Sequence, residues 1–168
     1  MIRRTDPLRD PEPLIRRVYS YVAYRIGDGP EAEDVTSEVF ERALRYRNSF
    51  DPKKGEPIAW LLGIARTCIP ASRKRDRLEL PVDRGSAEGH ENALIERLTL
   101  ADGLATLGTR DRELIALRYG SDLTSAQIGR VLELRPNAVE VALHRALGRL
   151  REALEEPRPA DLVGARKE

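Results

Sequence analysis

Apolar positions recur at helical spacing along the first part of the chain and predict three helices. One stripe runs over residues 14–26, after which a Gly-Asp-Gly sequence interrupts the pattern. Pro30 then suits the first turn of a second helix, because the N–H that proline lacks would have no helical partner there. The segment 57–69 (PIAWLLGIARTCI) is apolar almost all round, which predicts the central helix of its domain.

The helical pattern stops over residues 78–92 (LELPVDRGSAEGHEN) and then resumes. This stretch has a proline, two glycines and four acidic residues against one arginine, which predicts a flexible, acidic linker. Two further striped helices follow, and then come "LTSAQIGRVL", a short turn and "RPNAVEVALHRALGRL". Thr124 and Gln127 have the spacing of a capping box. The predicted buried stripe of the last helix consists of Val139, Leu143, Ala146, Leu150 and Ala153.

These patterns predict an all-α fold with two small helical domains, 10–77 and 93–155, joined by the linker 78–92 and followed by a disordered tail, 156–168. The capped helix, the turn and the amphipathic helix that follows match a helix-turn-helix, which many DNA-binding proteins use to read the major groove. The alternative is a plain helical hairpin in a bundle. Hydrogen-bond donors that lie off the buried stripe favour the DNA-binding interpretation.

The residue types that carry most enzyme chemistry are sparse or scattered in this sequence. The two histidines lie in the linker and on a helix, and no Cys/His cluster has metal-ligand spacing. The sequence also lacks a phosphate-binding glycine loop and a Gly-x-Ser-x-Gly motif. We therefore expect no enzyme activity, no metal site and no cofactor.

The single cysteine and the apolar runs indicate the cellular compartment. Cys68 excludes an intrachain disulfide, and its apolar surroundings predict a buried thiol. No apolar stretch approaches the roughly 18 residues of a membrane span, and the N-terminus lacks the apolar core of a signal peptide. We expect a cytoplasmic protein without a membrane partner.

Charge is unevenly distributed, although the formal net charge of the chain is only +1. This net charge is far below that of a domain that binds DNA unaided, so either DNA is not the partner or another molecule supplies most of the electrostatic affinity. The acidic helix 31–46 is either a solvated face or a docking surface for a basic protein. The segment 66–77 has five cations against one acid, which favours contact with phosphates.

The order of these parts resembles one known family. "EAEDVTSEVFERAL", a polar loop, "AWLLGIAR" and a basic tract resemble the promoter-melting domain of the extracytoplasmic-function sigma factors of bacterial RNA polymerase. "LATLGTRDRELIALRYGSDLTSAQIGRVLELRPNAVEVALHRALGRLR" resembles the domain of that family that reads the minus-thirty-five element. The resemblance covers roughly residues 10–155, and it implies a sigma factor that recruits core polymerase, recognises a promoter and helps to open it.

The resemblance also implies partners and contact residues. The acidic helix would dock on the clamp helices of the largest polymerase subunit, the second domain would meet the flap of the second subunit, and an anti-sigma factor would regulate the chain. The docking residues implied are Asp34, Glu38 and Glu41. The loop 46–56 matches the segment that holds a flipped base of the minus-ten strand. The minus-ten candidates are Asn48, Phe50, Asp51, Lys53, Lys54, Trp60, Arg66, Thr67, Arg73, Lys74, Arg75 and Arg77.

The helix that would read the minus-thirty-five element carries an acid where a cation is common in the family. Asn137, Glu140 and His144 are three and four residues apart and share one helix face off the buried stripe. Glu140 either accepts from a cytosine amino group or weakens binding by repelling phosphates. The minus-thirty-five candidates are Arg135, Asn137, Glu140, His144, Arg145 and Arg149.

Several positions depart from the family pattern. Thr67 and Ala71 stand where Asn and Asp are usual, and Pro70 between them should kink the helix. Glu133 stands in the turn where Gly is usual, and a left-handed residue there would cost about 1 kcal/mol. The other departures are Ser37 in place of Gln, and Glu140, Ala142 and Leu147 in place of Lys or Arg. Two alternatives to the sigma factor remain: a sigma-like decoy that binds an anti-sigma factor without initiating transcription, and a free-standing helix-turn-helix regulator.

Overall fold

The N-terminal half of the structure, residues 6–69, is a bundle of three helices. The computed structural model describes residues 6–69 and 90–155. The three helices are α1 (Pro11–Ile26), α2 (Pro30–Tyr46) and α3 (Pro57–Cys68), and a 3₁₀ turn, Arg47–Ser49, follows α2. Each helix has a proline in its first turn, where the missing N–H needs no partner.

The C-terminal half, residues 90–155, contains four further α-helices. They are α4 (His90–Thr106), α5 (Thr109–Ile115), α6 (Ser125–Leu132) and α7 (Pro136–Glu155), and a π-helical segment, Ala116–Gly120, extends α5. Every regular element in the two described ranges is helical, so the predicted all-α class and the helix-turn-helix of α6 and α7 are confirmed. The predicted division at 77, 78–92, 93 and 156 stays a prediction, since most of the linker and the whole tail lie outside the described residues.

Two of the local predictions concern helix ends. The capping box at α6 is confirmed, since the Thr124 N–H donates to Gln127 Oε1 at 2.8 Å and the Gln127 N–H donates to Thr124 Oγ1 at 3.3 Å. The kink expected at Pro70 falls on a residue that lies outside the described ranges. Helix α3 ends at Cys68, and Ile69 is extended (φ −91°, ψ 112°), because a residue before proline disfavours the α conformation.

The two halves pack against each other around helix α1. Helix α1 contacts α2 and α3 on one side and the π-helical segment and α5 on the other, while α3 also contacts α6. One apolar cluster runs through both halves, with Tyr21 and Leu61 from the first and Leu117 and Ile128 from the second all buried. Cys68 is buried in the same cluster, as predicted, and burial raises the pKa of its thiol.

The halves approach each other closely at Gly120. A Cβ atom on this residue would lie 3.2 Å from the Ser20 carbonyl oxygen and 3.3 Å from Tyr21 Cα. Beside it, the Arg17 guanidinium donates to the Ser121 carbonyl at 2.8 Å, and Ser121 Oγ donates to the Arg17 carbonyl at 2.9 Å. The absence of a side chain at residue 120 therefore lets the π-helical segment lie directly on α1.

A second apolar cluster holds α4, α5 and α7 together. Its buried members include Leu104, Ile115 and Leu150. Arg112 is also buried and satisfies the C-terminal carbonyls of α4, since it donates to Leu104 at 3.0 Å and to Leu107 at 3.1 Å. Burial lowers the pKa of Arg112, and these hydrogen bonds offset part of the cost of burying its charge.

The turn between α6 and α7 has the left-handed residue that the sequence pattern indicates. Glu133 has φ 57° and ψ 40°, and the next N–H, of Leu134, donates to the Gly129 carbonyl at 2.8 Å. A Cβ atom on Gly129 would lie 2.5 Å from the Leu134 carbonyl oxygen. The tight turn therefore requires a glycine at 129 and places a strained glutamate at 133.

We expect Glu133→Gly to raise the free energy of unfolding by about 0.5–1 kcal/mol, as measured by urea denaturation. Relief of the left-handed strain is worth about 1–2 kcal/mol, which exceeds the roughly 0.5–1 kcal/mol that glycine loses in backbone entropy. The control is Glu152→Gly, the same change inside α7, which should lower stability by about 1 kcal/mol. Destabilisation by both substitutions would contradict the strain at residue 133.

Candidate docking and nucleic-acid surfaces

Helix α2 presents its acidic residues to solvent. Its apolar side, which includes Val35 and Val39, is buried against the bundle, so Asp34 and Glu41 are exposed. Glu38 is half-buried and pairs with Arg42 one turn later at 2.5 Å. Two of the three predicted docking carboxylates are therefore exposed, and the third is partly neutralised within its own helix.

The loop between α2 and α3 borders a small cavity with an aromatic wall. Phe50 and Trp60 face each other with ring centroids 5.6 Å apart and a tilt of 58°. Asp51 shapes the loop, since its carboxylate accepts from the Lys53 N–H and its carbonyl accepts from the Lys54 N–H, each at 3.0 Å. The cavity has a volume of about 180 Å³, and Trp60 is half-buried at its edge.

Residues from both halves line this cavity. The lining residues are Ser49, Phe50, Asp51, Lys54, Gly55, Glu56, Ala59, Trp60, Arg130 and Val131. A second cavity of about 380 Å³ shares Trp60, Arg130 and Val131 and extends toward Thr67. Helix α6 therefore forms one wall of the space that the loop and α3 enclose.

The predicted minus-ten residues only partly come together. Asn48, Lys53 and Lys54 are exposed on the loop. Thr67 Oγ1 accepts from Arg42 at 3.3 Å and donates to the Ile64 carbonyl at 2.7 Å, so it faces the acidic helix. The remaining candidates, Arg73, Lys74, Arg75 and Arg77, lie outside the described residues.

Arg66 is engaged by the C-terminal half. Its Nε donates to Glu113 Oε1 at 2.8 Å, and its Nη1 donates to the Val131 carbonyl at 2.9 Å. Arg25 donates to the same Glu113 oxygen at 3.0 Å, and the Tyr21 hydroxyl lies 3.2 Å from it. Burial raises the pKa of Tyr21 far above its usual value, so its hydroxyl stays protonated and donates to the carboxylate.

The outer face of α7 carries the predicted minus-thirty-five residues. Arg135, Asn137, Glu140, His144, Arg145 and Arg149 are all exposed. The stripe on the opposite face is buried at Val139, Leu143, Ala146 and Leu150, and Ala153 is half-buried. Arg149 is held by Asp111 through two hydrogen bonds of 2.5 and 2.8 Å, so this cation already has a partner on the molecule.

Glu140 also has a partner on the molecule. Its carboxylate accepts from the Ser125 hydroxyl in the first turn of α6. This hydrogen bond connects the two helices of the helix-turn-helix, a bracing role that the sequence pattern does not indicate.

Other residues at the site carry no signal in the sequence. Glu113 lies between the halves, yet nothing in its helix pattern distinguishes it from a solvated glutamate. Gln127 completes the capping box and also donates to Glu56 Oε2 at 2.7 Å across the halves. Arg130 lines both cavities. Only the partners of these residues, which are distant in the sequence, reveal their place at the site.

Within residues 6–69 and 90–155, no group of His, Cys, Asp or Glu side chains is arranged to hold a metal ion. No helix in these ranges is both long enough and apolar enough to span a membrane.

Comparisons with known proteins agree with this arrangement. A family model described as Sigma-70 region 2 matches residues 12–78, and one described as Sigma-70, region 4 matches residues 97–150. Among solved structures, the fold is similar to the sigma factor RpoE of Bartonella quintana, solved with the anti-sigma factor NepR, with a TM-score of 0.67, 18% identity and coverage of 86% of this chain and 94% of that one. It is also similar to CnrH, solved with the cytosolic domain of CnrY, with a TM-score of 0.57, 24% identity and coverage of 93% and 83%.

Two curated relatives extend over most of the chain. The ECF RNA polymerase sigma factor BldN of Streptomyces coelicolor is 32% identical over 140 residues, which cover 77% of this chain and 53% of BldN. The chain therefore spans about half the length of that relative. The ECF RNA polymerase sigma factor SigL of Mycobacterium tuberculosis is 30% identical over 147 residues, which cover 83% of each chain. Because both family models match the chain and these relatives are at least 30% identical to it, the chain belongs to the extracytoplasmic-function family of RNA polymerase sigma factors.

Proposed function

We propose that this chain binds core RNA polymerase, recognises the minus-ten and minus-thirty-five elements of a promoter, and promotes the initiation of transcription in the cytoplasm. The observation that carries the proposal is the combination of an aromatic-walled cavity in the N-terminal half with a helix-turn-helix in the C-terminal half. In this proposal the chain supplies binding contacts, and the polymerase performs the chemistry.

In the proposed function, the acidic face of α2 is the surface that docks on the polymerase. Asp34 and Glu41 are exposed, and Glu38 lies on the same side with its charge shared by Arg42. An acidic face of this kind attracts a basic surface and sets its orientation. The clamp helices of the largest subunit are the partner that the family resemblance indicates, and the C-terminal half would reach the flap of the second subunit.

In the proposed function, the cavity beside Trp60 receives a base that is extruded when the promoter opens. Extruding a base from the duplex costs a few kcal/mol, and stacking on an aromatic side chain returns about 1–3 kcal/mol per base. Phe50 and Trp60 provide the aromatic surface, and Lys53 and Lys54 provide positive charge for the adjacent phosphates of the DNA strand. Asp51 lines the cavity. We propose Asn48, Arg66 and Thr67 as further contacts, and the tract of Arg73, Lys74, Arg75 and Arg77 as the continuation of this surface.

Binding to the polymerase explains why the reading helix needs few cations. The core supplies much of the phosphate contact, and tethering makes the second binding event intramolecular. Arg135, Asn137, His144 and Arg145 remain available on the exposed face of α7. RpoE was solved with the anti-sigma factor NepR and CnrH with the cytosolic domain of CnrY, and by analogy we propose that an anti-sigma factor also binds this chain.

The direct test is transcription by cognate core polymerase, with and without the chain, from a fork-junction template. We expect the chain to bind core and to stimulate initiation. A chain that binds core and an anti-sigma factor but does not stimulate initiation would be a decoy, and one that binds duplex DNA without binding core would be a free-standing regulator. Either result would contradict the proposal.

We expect the double reversal Asp34→Lys, Glu38→Lys to abolish core binding and to leave the fold intact, since neither residue belongs to the apolar core. Core affinity is measured by fluorescence anisotropy, and folding by circular dichroism. The matched control is Asp10→Lys, Glu12→Lys, which changes the net charge equally at the exposed start of α1. Equal core affinity of the two double variants would rule out α2 as the docking helix.

We expect Glu140→Arg to steepen the salt dependence of binding to a pool of duplexes by about one unit, because one phosphate contact is added where an acid stood. The control Ser125→Ala removes the same hydrogen bond without changing charge, and it should leave the slope unchanged. A loss of preference of roughly 1–3 kcal/mol at one base pair would instead assign cytosine reading to Glu140. Unchanged affinity, slope and preference would remove residue 140 from the DNA-facing side.

A further inference from the structure

The contacts between the halves involve the same residues that the proposed function assigns to DNA. Arg66 is the one minus-ten arginine among the described residues, and both of its hydrogen bonds go to the C-terminal half, to Glu113 and to the Val131 carbonyl. We call the arrangement in which the two halves pack together the closed arrangement. It therefore occupies Arg66 N–H donors that would otherwise be free to bind a phosphate.

Glu113 lies in a site that suits a phosphodiester group. Arg25 and Arg66 approach one of its oxygens at 3.0 and 2.8 Å, and the Tyr21 hydroxyl is 3.2 Å away. The Glu113 side chain is only 15% exposed. Two guanidinium groups and a hydroxyl around one carboxylate leave a local excess of positive charge, and guanidinium groups bind phosphate by the same geometry.

Helix α6 forms one wall of the aromatic-walled cavity. Arg130 and Val131 line it, and Gln127 is hydrogen-bonded to Glu56 at the start of α3. Helix α6 therefore lies against the aromatic surface on which a base would stack. Both Arg66 and this surface are contacted by the C-terminal half.

We propose that Glu113 is an internal latch, a carboxylate that occupies Arg25 and Arg66 in place of a DNA phosphate and holds the C-terminal half over the minus-ten surface. The proposal rests on the proposed function, because it takes Arg66 and the cavity as the contacts for single-stranded promoter DNA. The strand must separate the halves before it binds, so its apparent affinity for the free chain is lowered by the fraction of chains that are open.

The test compares the full-length chain with Glu113→Gln, using mixed-sequence single-stranded DNA oligonucleotides as the probe. Binding is measured by fluorescence anisotropy, and the radius of gyration of the free chain by small-angle X-ray scattering. We expect the variant to bind about tenfold more tightly, a change that corresponds to about 1.4 kcal/mol, and to be more expanded than the natural chain.

The matched control is Asp111→Asn, two residues away on the same helix. It removes one negative charge as well, but it breaks an ion pair with Arg149 that lies within the C-terminal half. We expect it to retain the compact form and to change oligonucleotide affinity much less. Equal affinities of the two variants would overturn the latch, and so would tighter binding by Glu113→Gln without expansion, since repulsion alone would then explain the gain.

A steric variant keeps the test decisive if Glu113→Gln does not fold. Gly120→Val places a side chain against the α1 backbone, where even a Cβ atom would lie 3.2 Å from the Ser20 carbonyl oxygen, and leaves Glu113 and Arg66 unchanged. We expect expansion and tighter oligonucleotide binding. Gly148→Ala is its control, because no atom lies within 4 Å of the added Cβ. An expanded Gly120→Val chain with unchanged oligonucleotide affinity would overturn the latch.

Failure of the latch is distinguishable from failure of the proposed function. Stimulation of core-dependent initiation by the natural chain tests the function alone. If initiation is stimulated while Glu113→Gln behaves as Asp111→Asn does, only the latch is wrong. If the natural chain does not stimulate initiation, the proposed function fails, and the latch proposal fails with it.

Discussion

Helix α1 packs against α2 and α3 of its own half and against the C-terminal half, and the rest of the arrangement depends on this double contact. Tyr21 is fully buried in a cluster that also contains Leu117 and Ile128. This packing is possible because Gly120 lies against the α1 backbone without a side chain. Arg17 then holds the end of the π-helical segment on α1 through a hydrogen bond. Removing the C-terminal half would expose a continuous apolar face on α1, so the closed form is stabilised by burial as well as by charge.

The contact between the halves also competes with the proposed binding of DNA. The proposed docking residues Asp34 and Glu41 and the outer face of α7 are exposed while the halves are together, and Glu38 is half-buried. Arg66 and the cavity beside Trp60 lie at the contact itself. Under the proposed function, a free chain of this kind would present the surface for the polymerase and withhold part of the surface for melted DNA. Separation of the halves would then be the step that joins recruitment to promoter opening.

Much of the local structure could be predicted because it depends on neighbouring residues. Helical stripes, prolines in first turns, the Thr124 capping box and the left-handed Glu133 are all determined within a few positions of sequence. The contacts of Glu113 could not be predicted, since its partners lie 47 to 92 residues away. Periodicity shows which face of a helix is buried, but it does not show what covers that face. The burial of Arg112 escaped prediction for a different reason: its partners are only 5 to 8 residues away, but the turn between α4 and α5 has to fold before the guanidinium can reach these carbonyls.

We propose that the chain is closed when free and open when it acts. This change is tested most directly by pulsed electron–electron double resonance between spin labels on the exposed Arg45 and Arg151 positions, introduced as cysteines in a Cys68→Ala background. We expect one short distance in the free chain and a longer one in the complex with core polymerase and a fork-junction promoter. The same short distance in an initiating complex would contradict it, since promoter opening would then occur without separation of the halves.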